Sequence, residues 1–456
     1  MSLRESMRHA RIATTAAMLL LCFTLPAQTQ HASAKHAGTA AGGWKQTPLV
    51  MAAPEAVGFS SRRLENLHTL MQQAVDRGQI AGGVTILARH GKIVDYHAYG
   101  KRDLASGAPM TKDTIFRDYS MTKPVTGVAM MILYEQGKWL PTDPIAKYIP
   151  EFAHLKVYAG KDKDGNPILV NPDHPPTMQE LMSHTAGFTY GLFGNTAVDQ
   201  MVRDAHLFDS KNLQEFIDKV AKLPLLYQPG KGWTYSIGMD IEGYLVEKLS
   251  GKTLPEFLRE NVFTPLGMRD AGFYVPASKW SRFATLYYVD KDGKLTTQSN
   301  GGVNPRAYKE EPSMPSGGGG LVSTAEDYYR FAQMLADGGE YNGKRILAPA
   351  TVHLMATNHV PVELLNGHFG IGSQVMRPGF GYGYNCAVEF NPAEASLPDG
   401  KGTFFWDGAA QTWFWIDPTN DIVFVGMIQR IGGADGPNLQ YHSRPIVYGA
   451  LVDPKK

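Results

Sequence analysis

Apolar strand signals crowd the last quarter of this chain, and a matching pair lies near its start. Gly402-Thr403-Phe404-Phe405-Trp406, Thr412-Trp413-Phe414-Trp415-Ile416 and Asp421-Ile422-Val423-Phe424-Val425 are rich in aromatic and β-branched residues and separated by turn residues. That pattern predicts an antiparallel meander. Val84-Thr85-Ile86-Leu87 and Ile93-Val94-Asp95-Tyr96 flank His90-Gly91, a hairpin signal. Between these ends, residues 141–276 read as mostly helical with loops. Thr177-Met178-Gln179-Glu180 is a capping box opening a helix through Leu181 to His184. Residues 212–223 form a second helix. Residues 238–250 form a third, with Ile241, Tyr244, Leu245, Lys248 and Leu249 at helical spacing and Gly251 as its stop. Ser323-Thr324-Ala325-Glu326 is a further capping box. The expectation is an α+β fold: an antiparallel β-sheet flanked by helices, its halves drawn from the two termini, with a mostly helical lobe inserted.

A chain of 456 residues, 43% of them hydrophobic, has ample material for a large core. Its formal net charge of +1 comes without basic blocks, which argues against nucleic acid as a partner. The first residues read as a processing segment. Arg4, Arg8 and Arg11 form a positive region, residues 12–25 are apolar, and Ala32-Ser33-Ala34 is a cleavage site, with Ala27 an alternative. The apolar run is short for a transmembrane helix. A signal peptide over 1–34, a linker over 35–52 and a catalytic domain over 53–452 follow. The product is a secreted or periplasmic protein without a stable membrane anchor. Removing residues 1–34 takes away three arginines and one glutamate and leaves a charge of −1. Cys22 leaves with the signal, so Cys386 remains alone and no intramolecular disulfide forms. Tyr384 to Val388 reads as a strand, which makes Cys386 a buried structural thiol.

The chemistry centres on Ser120-Met121-Thr122-Lys123-Pro124. A helix beginning at Ser120 places Ser120 and Lys123 one turn apart on one face. A serine hydroxyl needs a base within hydrogen-bond reach, and lysine serves only if its pKa is lowered. Ser120 is the only serine with lysine three residues on. The plain alternative is an N-cap serine beside a solvated lysine. Pro124 fits the first turn, Val125, Val128, Ile132 and Leu133 give an apolar face, and Gly137 ends the pattern. Rival motifs are missing. There is no Gly-x-Ser-x-Gly, no His-Glu-x-x-His, no Cys-x-x-Cys and no Walker loop. Neither a metal nor a cofactor is expected. The glycine run 317–320 reads as a tight turn beside the site.

Two further stretches carry polar groups near apolar runs. Tyr235, in Trp233-Thr234-Tyr235-Ser236-Ile237, could share a proton network with Lys123, its phenol pKa falling beside a cation; otherwise it is an ordinary half-buried tyrosine. Trp406-Asp407-Gly408-Ala409 lies at a strand edge, where backbone N–H groups can join one at the nucleophile to bind an oxyanion. The alternative is a plain strand end and turn. His184 lies inside a helical pattern and reads as a structural hydrogen-bonding residue.

Together these segments resemble the serine β-lactamase-like superfamily, and most of all the class C β-lactamase type with its family VIII carboxylesterases. Ser120-Met121-Thr122-Lys123 is similar to the first motif and Tyr235-Ser236-Ile237 to the second. Residues 181–187, 227–230, 265–268 and 316–324 are also typical, so the resemblance spans roughly residues 55–450. It implies acyl transfer: Ser120 attacks an ester or amide carbonyl, Lys123 and Tyr235 take and return the proton, and the N–H groups of Ser120 and Ala409 form the oxyanion hole. Trp406, Asp407 and Gly408 stand at the third, substrate-binding motif, where this chain has no Lys-Thr-Gly or His-Thr-Gly. An indole and an acid there favour neutral, partly apolar esters over penicillins, with Trp406, Trp413, Phe188, Tyr190 and Phe193 as candidate apolar walls. The leading expectation is an exported carboxylesterase. A β-lactamase or D-amino-acid peptidase, and a non-catalytic penicillin-binding-like protein, stand as alternatives. The partner is a small-molecule ester or amide, and the oligomeric state is left open.

Overall fold

The computed structural model describes residues 47–299, 308–365, 378–433 and 436–456. The predicted signal peptide, its cleavage sites and most of the predicted linker lie outside these residues. The linker's last residues belong to the fold: Met51 bridges Ile93, and the Thr47 carbonyl accepts from Arg330.

Seven strands build the main sheet: β1 (Gly82–Arg89), β2 (Lys92–Gly100), β3 (Phe380–Tyr382), β4 (Ala387–Glu389), β5 (Thr403–Asp407), β6 (Trp413–Asp417) and β7 (Ile422–Ile428). Their order is β3-β4-β5-β6-β7-β1-β2, all antiparallel. The N-terminal hairpin and C-terminal meander thus join where β1 pairs with β7, Gly83 opposite Ile428 and Arg89 opposite Ile422. His90 and Gly91 both take positive φ, the geometry of a two-residue turn matched to strand twist.

Every residue of β1, β6 and β7 is buried, so both sheet faces are covered. Alternation along β6 assigns the covers, because successive side chains point to opposite faces. Phe414 meets Tyr328 of the helix Ala325–Ala336, and Trp415 meets Arg444 of the helix Leu439–Ala450. The helix α1 (Ser61–Asp76) packs against the latter.

The helix expected at Ser120 starts two residues later, as α2 (Thr122–Glu135), after a 3-10 turn over Tyr119–Met121. It is buried at every position from Thr122 to Leu133 rather than along one stripe, because it runs through the middle of the molecule. Helix α3 (Met178–Met182) has the predicted capping box at Thr177 but stops before His184, which takes φ 61°. Helix α4 (Leu213–Val220) is capped by Asn212, and α5 (Gly238–Ser250) ends at Gly251 as expected. Two local readings change. The second expected capping box is replaced by a single cap one residue on, Thr324 accepting from the Asp327 N–H, because Ser323 lies in a short strand and its hydroxyl donates to Asp118 at 2.8 Å. The helical region also holds a hairpin, Val157–Lys161 with Pro167–Val170, whose second strand is exposed throughout and so lacks an alternating signature. Among the described residues, no helix is long and apolar enough to cross a membrane, and no group of three or more His, Cys, Asp or Glu could hold a metal ion.

Candidate active site

Ser120 stands on a strained turn. Tyr119 before it has φ 46°, a region that costs a bulky side chain energy, and such outliers cluster at functional sites. The turn is held from two sides. Asp118 N–H donates to the Leu321 carbonyl at 2.9 Å, and the Asp118 carbonyl accepts from the Thr412 hydroxyl at 3.1 Å. Ser120 is only partly buried, which leaves its hydroxyl open to a substrate.

Lys123 is buried one turn away. Its Nζ donates to Ser120 Oγ at 3.1 Å and to the Gly318 carbonyl at 2.6 Å. Among the described residues no carboxylate pairs with it directly. Burial therefore pushes its pKa down to about 7, although Asp240, Asp407 and Glu242 pull the other way. The ammonium also lies 4.5 Å from the ring centre of Tyr235 and 5.3 Å from that of Tyr190. The glycine run 317–320 is indeed a turn beside this lysine.

Tyr235 reaches the same point from the start of α5. Its hydroxyl interacts with Ser120 and accepts from the Trp406 indole N–H at 3.4 Å. The expected fall in its pKa is reversed: burial raises it, and the lysine beside it is too close to neutral to oppose that. Tyr235 thus stays a protonated donor near neutral pH. His184 is buried, its Nδ1 accepting from the Ser236 N–H at 3.2 Å and its ring packed against Tyr235. Burial and Lys123 hold its pKa well below the ordinary range, so it is a neutral structural imidazole.

The third predicted stretch divides into separate tasks. Trp406 is 2% exposed and lies behind Tyr235, touching it rather than forming an open wall. Asp407 is half-buried near Lys123, and burial raises its pKa to about 7. Gly408 lets two turns approach: a Cβ there would lie 2.2 Å from the Asp118 carbonyl oxygen. Its own N–H is bound to Thr412, whereas among the described residues neither Ser120 nor the exposed Ala409 uses its N–H in a backbone hydrogen bond of the surrounding loops. Trp413 stacks on Phe424 inside the sheet and Phe188 packs on Phe152, both away from this point. Tyr190 and Phe193 do reach it, with Phe193 5.6 Å from the Tyr235 ring. Cys386 is buried, its thiol pushed up to about 12 by desolvation, as a structural cysteine should be.

Sequence reasoning missed Asp240. It sits in the first turn of α5, five residues after Tyr235, and accepts from the Ser316 hydroxyl at 2.5 Å and the Gly318 N–H at 3.1 Å. It thereby fixes the carbonyl that holds Lys123. Also missed was the exposed apolar rim of Leu192 and Phe208, which joins Phe193 around Tyr190.

A sheet built from both ends of the chain, carrying a Ser-x-x-Lys turn beside β5, is the architecture of serine β-lactamases and their esterase relatives. The Beta-lactamase family model matches residues 67–444, and the chain belongs to that family. A Mycobacterium tuberculosis protein is 34% identical over 374 residues, covering 80% of this chain and 90% of that protein. Esterase EstB of Burkholderia gladioli is 30% identical over 364 residues, covering 76% and 86%. Among solved structures, EstCE1, described as a hydrolase with promiscuous acyltransferase activity, is 28% identical with a TM-score of 0.71, covering 85% of this chain and 98% of its own. The protein is a serine hydrolase of β-lactamase fold.

Proposed function

We propose that this protein cleaves carboxylic esters through an acyl-enzyme on Ser120. The observation that carries the reading is the lysine amine, desolvated and 3.1 Å from the serine hydroxyl. Neutral Lys123 takes the Ser120 proton as Oγ attacks the carbonyl. The N–H groups of Ser120 and Ala409 receive the developing oxyanion, a contribution of about 10²–10³ in rate per donor. Tyr235 donates its proton toward the departing alkoxide and regains one from Lys123. Water then repeats the sequence on the acyl group. An alcohol in place of water gives acyl transfer, a second reading favoured by the description of EstCE1.

The substrate class follows from charge and rim. Asp407 stands near Lys123, and the stretch Trp406-Asp407-Gly408 offers no lysine-threonine pair to hold a carboxylate. Leu192, Phe193 and Phe208 are 60%, 50% and 45% exposed beside the site, which suits an apolar acyl or alcohol group. A missing charge-assisted hydrogen bond costs on the order of 1.5–3 kcal/mol. The kcat/KM for p-nitrophenyl butyrate is therefore expected to exceed that for nitrocefin or ampicillin by at least tenfold on the same preparation. The opposite ranking would promote a β-lactamase instead.

The proposal includes export, supported by the three arginines and apolar run of the first 25 residues. N-terminal sequencing of protein recovered outside the cytoplasm is expected to begin near residue 28 or 35. A chain retaining Met1 in membranes would contradict this.

A further inference from the structure

Behind the proposed base, three elements converge on two buried side chains that no step above uses. Glu242 lies on α5, one turn from Gly238 toward the helix middle. Asn385 lies in the turn joining β3 to β4, and both are fully buried. Asn385 Nδ2 donates to Glu242 Oε2 at 2.5 Å and to the main-chain carbonyl of Lys123 at 3.2 Å, which uses both amide protons. Two buried oxygens are left without a partner: Glu242 Oε1 and Asn385 Oδ1. If Glu242 is ionised both are acceptors, and neither can satisfy the other.

We propose that Glu242 is a protonated acid in the working enzyme, doubly hydrogen-bonded to Asn385, and that this acid–amide pair is the positioning element for the Lys123 backbone. One proton resolves both orphans: the acid O–H donates to the amide oxygen while the amide N–H donates to the acid carbonyl. The surroundings are built for such a pair. A Cβ on Gly127, four residues after Lys123, would fall 2.9 Å from Asn385 Cβ, so glycine opens the space that Asn385 occupies. Asn385 itself takes φ 65°, tolerated by asparagine, and anchors its N–H on the Met182 carbonyl.

The groups facing Glu242 are Lys123 from α2, Asp240 from its own helix and Tyr382 from β3, besides Asn385. Burial raises its pKa to about 8, helped by Asp240 and opposed by Asn385 and Lys123. Above that pH the pair loses one hydrogen bond, and a new negative charge draws a proton onto Lys123. Both effects weaken the base.

The experiment compares wild type with Glu242→Gln, whose amide can make both bonds to Asn385 at any pH. The first readout is kcat/KM for p-nitrophenyl butyrate from pH 6 to 9.5, which rests on the ester reading. Wild type is expected to lose about tenfold per unit above roughly pH 8, and Glu242→Gln to stay level there. Superimposable alkaline limbs would overturn the proposal. The second readout is thermal unfolding, which needs no activity and so separates this proposal from the ester reading. The native protein keeps a proton that the unfolded chain releases in the ordinary glutamate range. Wild type therefore loses stability relative to Glu242→Gln as pH rises from about 5 to 8, and the difference levels off beyond. A Tm difference that does not change with pH would also overturn it.

Discussion

Ser120→Ala is expected to abolish ester hydrolysis and to leave the fold intact. The change removes one oxygen from a partly buried side chain whose hydrogen bonds run to Lys123 and Tyr235, so little packing is lost. Chemically it removes the hydroxyl to which the amine of Lys123 donates. Nucleophile loss in serine hydrolases costs on the order of 10⁶ in kcat. Fluorophosphonate labelling followed by mass spectrometry is the direct check. Wild type is expected to gain one adduct, on the peptide containing Ser120, and Ser120→Ala none. A stoichiometric adduct on the Ser120→Ala protein would move the nucleophile elsewhere.

Replacing the base should be nearly as damaging. Lys123→Met and Tyr235→Phe are each expected to lower kcat by about 10²–10⁴, with the double variant losing much less than the product of the two. The pH profile sharpens the assignment. Only neutral lysine accepts a proton, so wild-type kcat/KM should rise with pH through about 7, where Lys123 gives up its own. Lys123→Arg keeps a cation that does not deprotonate and should be as inactive as Lys123→Met. Lys123→Met should also unfold no earlier than wild type, because burying this amine is costly and methionine fills similar space. Near-wild-type kcat in Tyr235→Phe would leave proton transfer to the lysine alone.

Features set by a few adjacent residues were legible before the structure. His90-Gly91 fixed a hairpin because both residues tolerate positive φ there, and Thr177 with Glu180 fixed a helix start through reciprocal hydrogen bonds. The Ser-x-x-Lys spacing survived the shift of α2 by two residues, since a 3-10 turn still brings the side chains together. What was missed depends on distant chain. Asn385 meets Lys123 across 262 residues, and no local pattern encodes that. The reading of Tyr235 failed for a related reason: it took Lys123 as a cation, and only the assembled core reveals that burial holds both groups toward neutrality. Trp406 and Trp413 looked equivalent along the chain, yet one backs Tyr235 and the other lies inside the sheet.

The pairing of β1 with β7 also governs when this molecule can come into being. A ribosome delivers Gly83 long before Ile428, its partner across the sheet. Until the last strand emerges, β1 presents an apolar edge with no neighbour on that side, the kind of template on which chains aggregate. Contacts this far apart in sequence make folding slow. Under the proposed export that delay would be useful, because a chain whose serine hydrolase chemistry is still unassembled can be translocated unfolded. Loss of the last forty residues by early termination would take β7 and the closing helix with it, leaving the N-terminal hairpin with no strand to join it to the rest of the sheet.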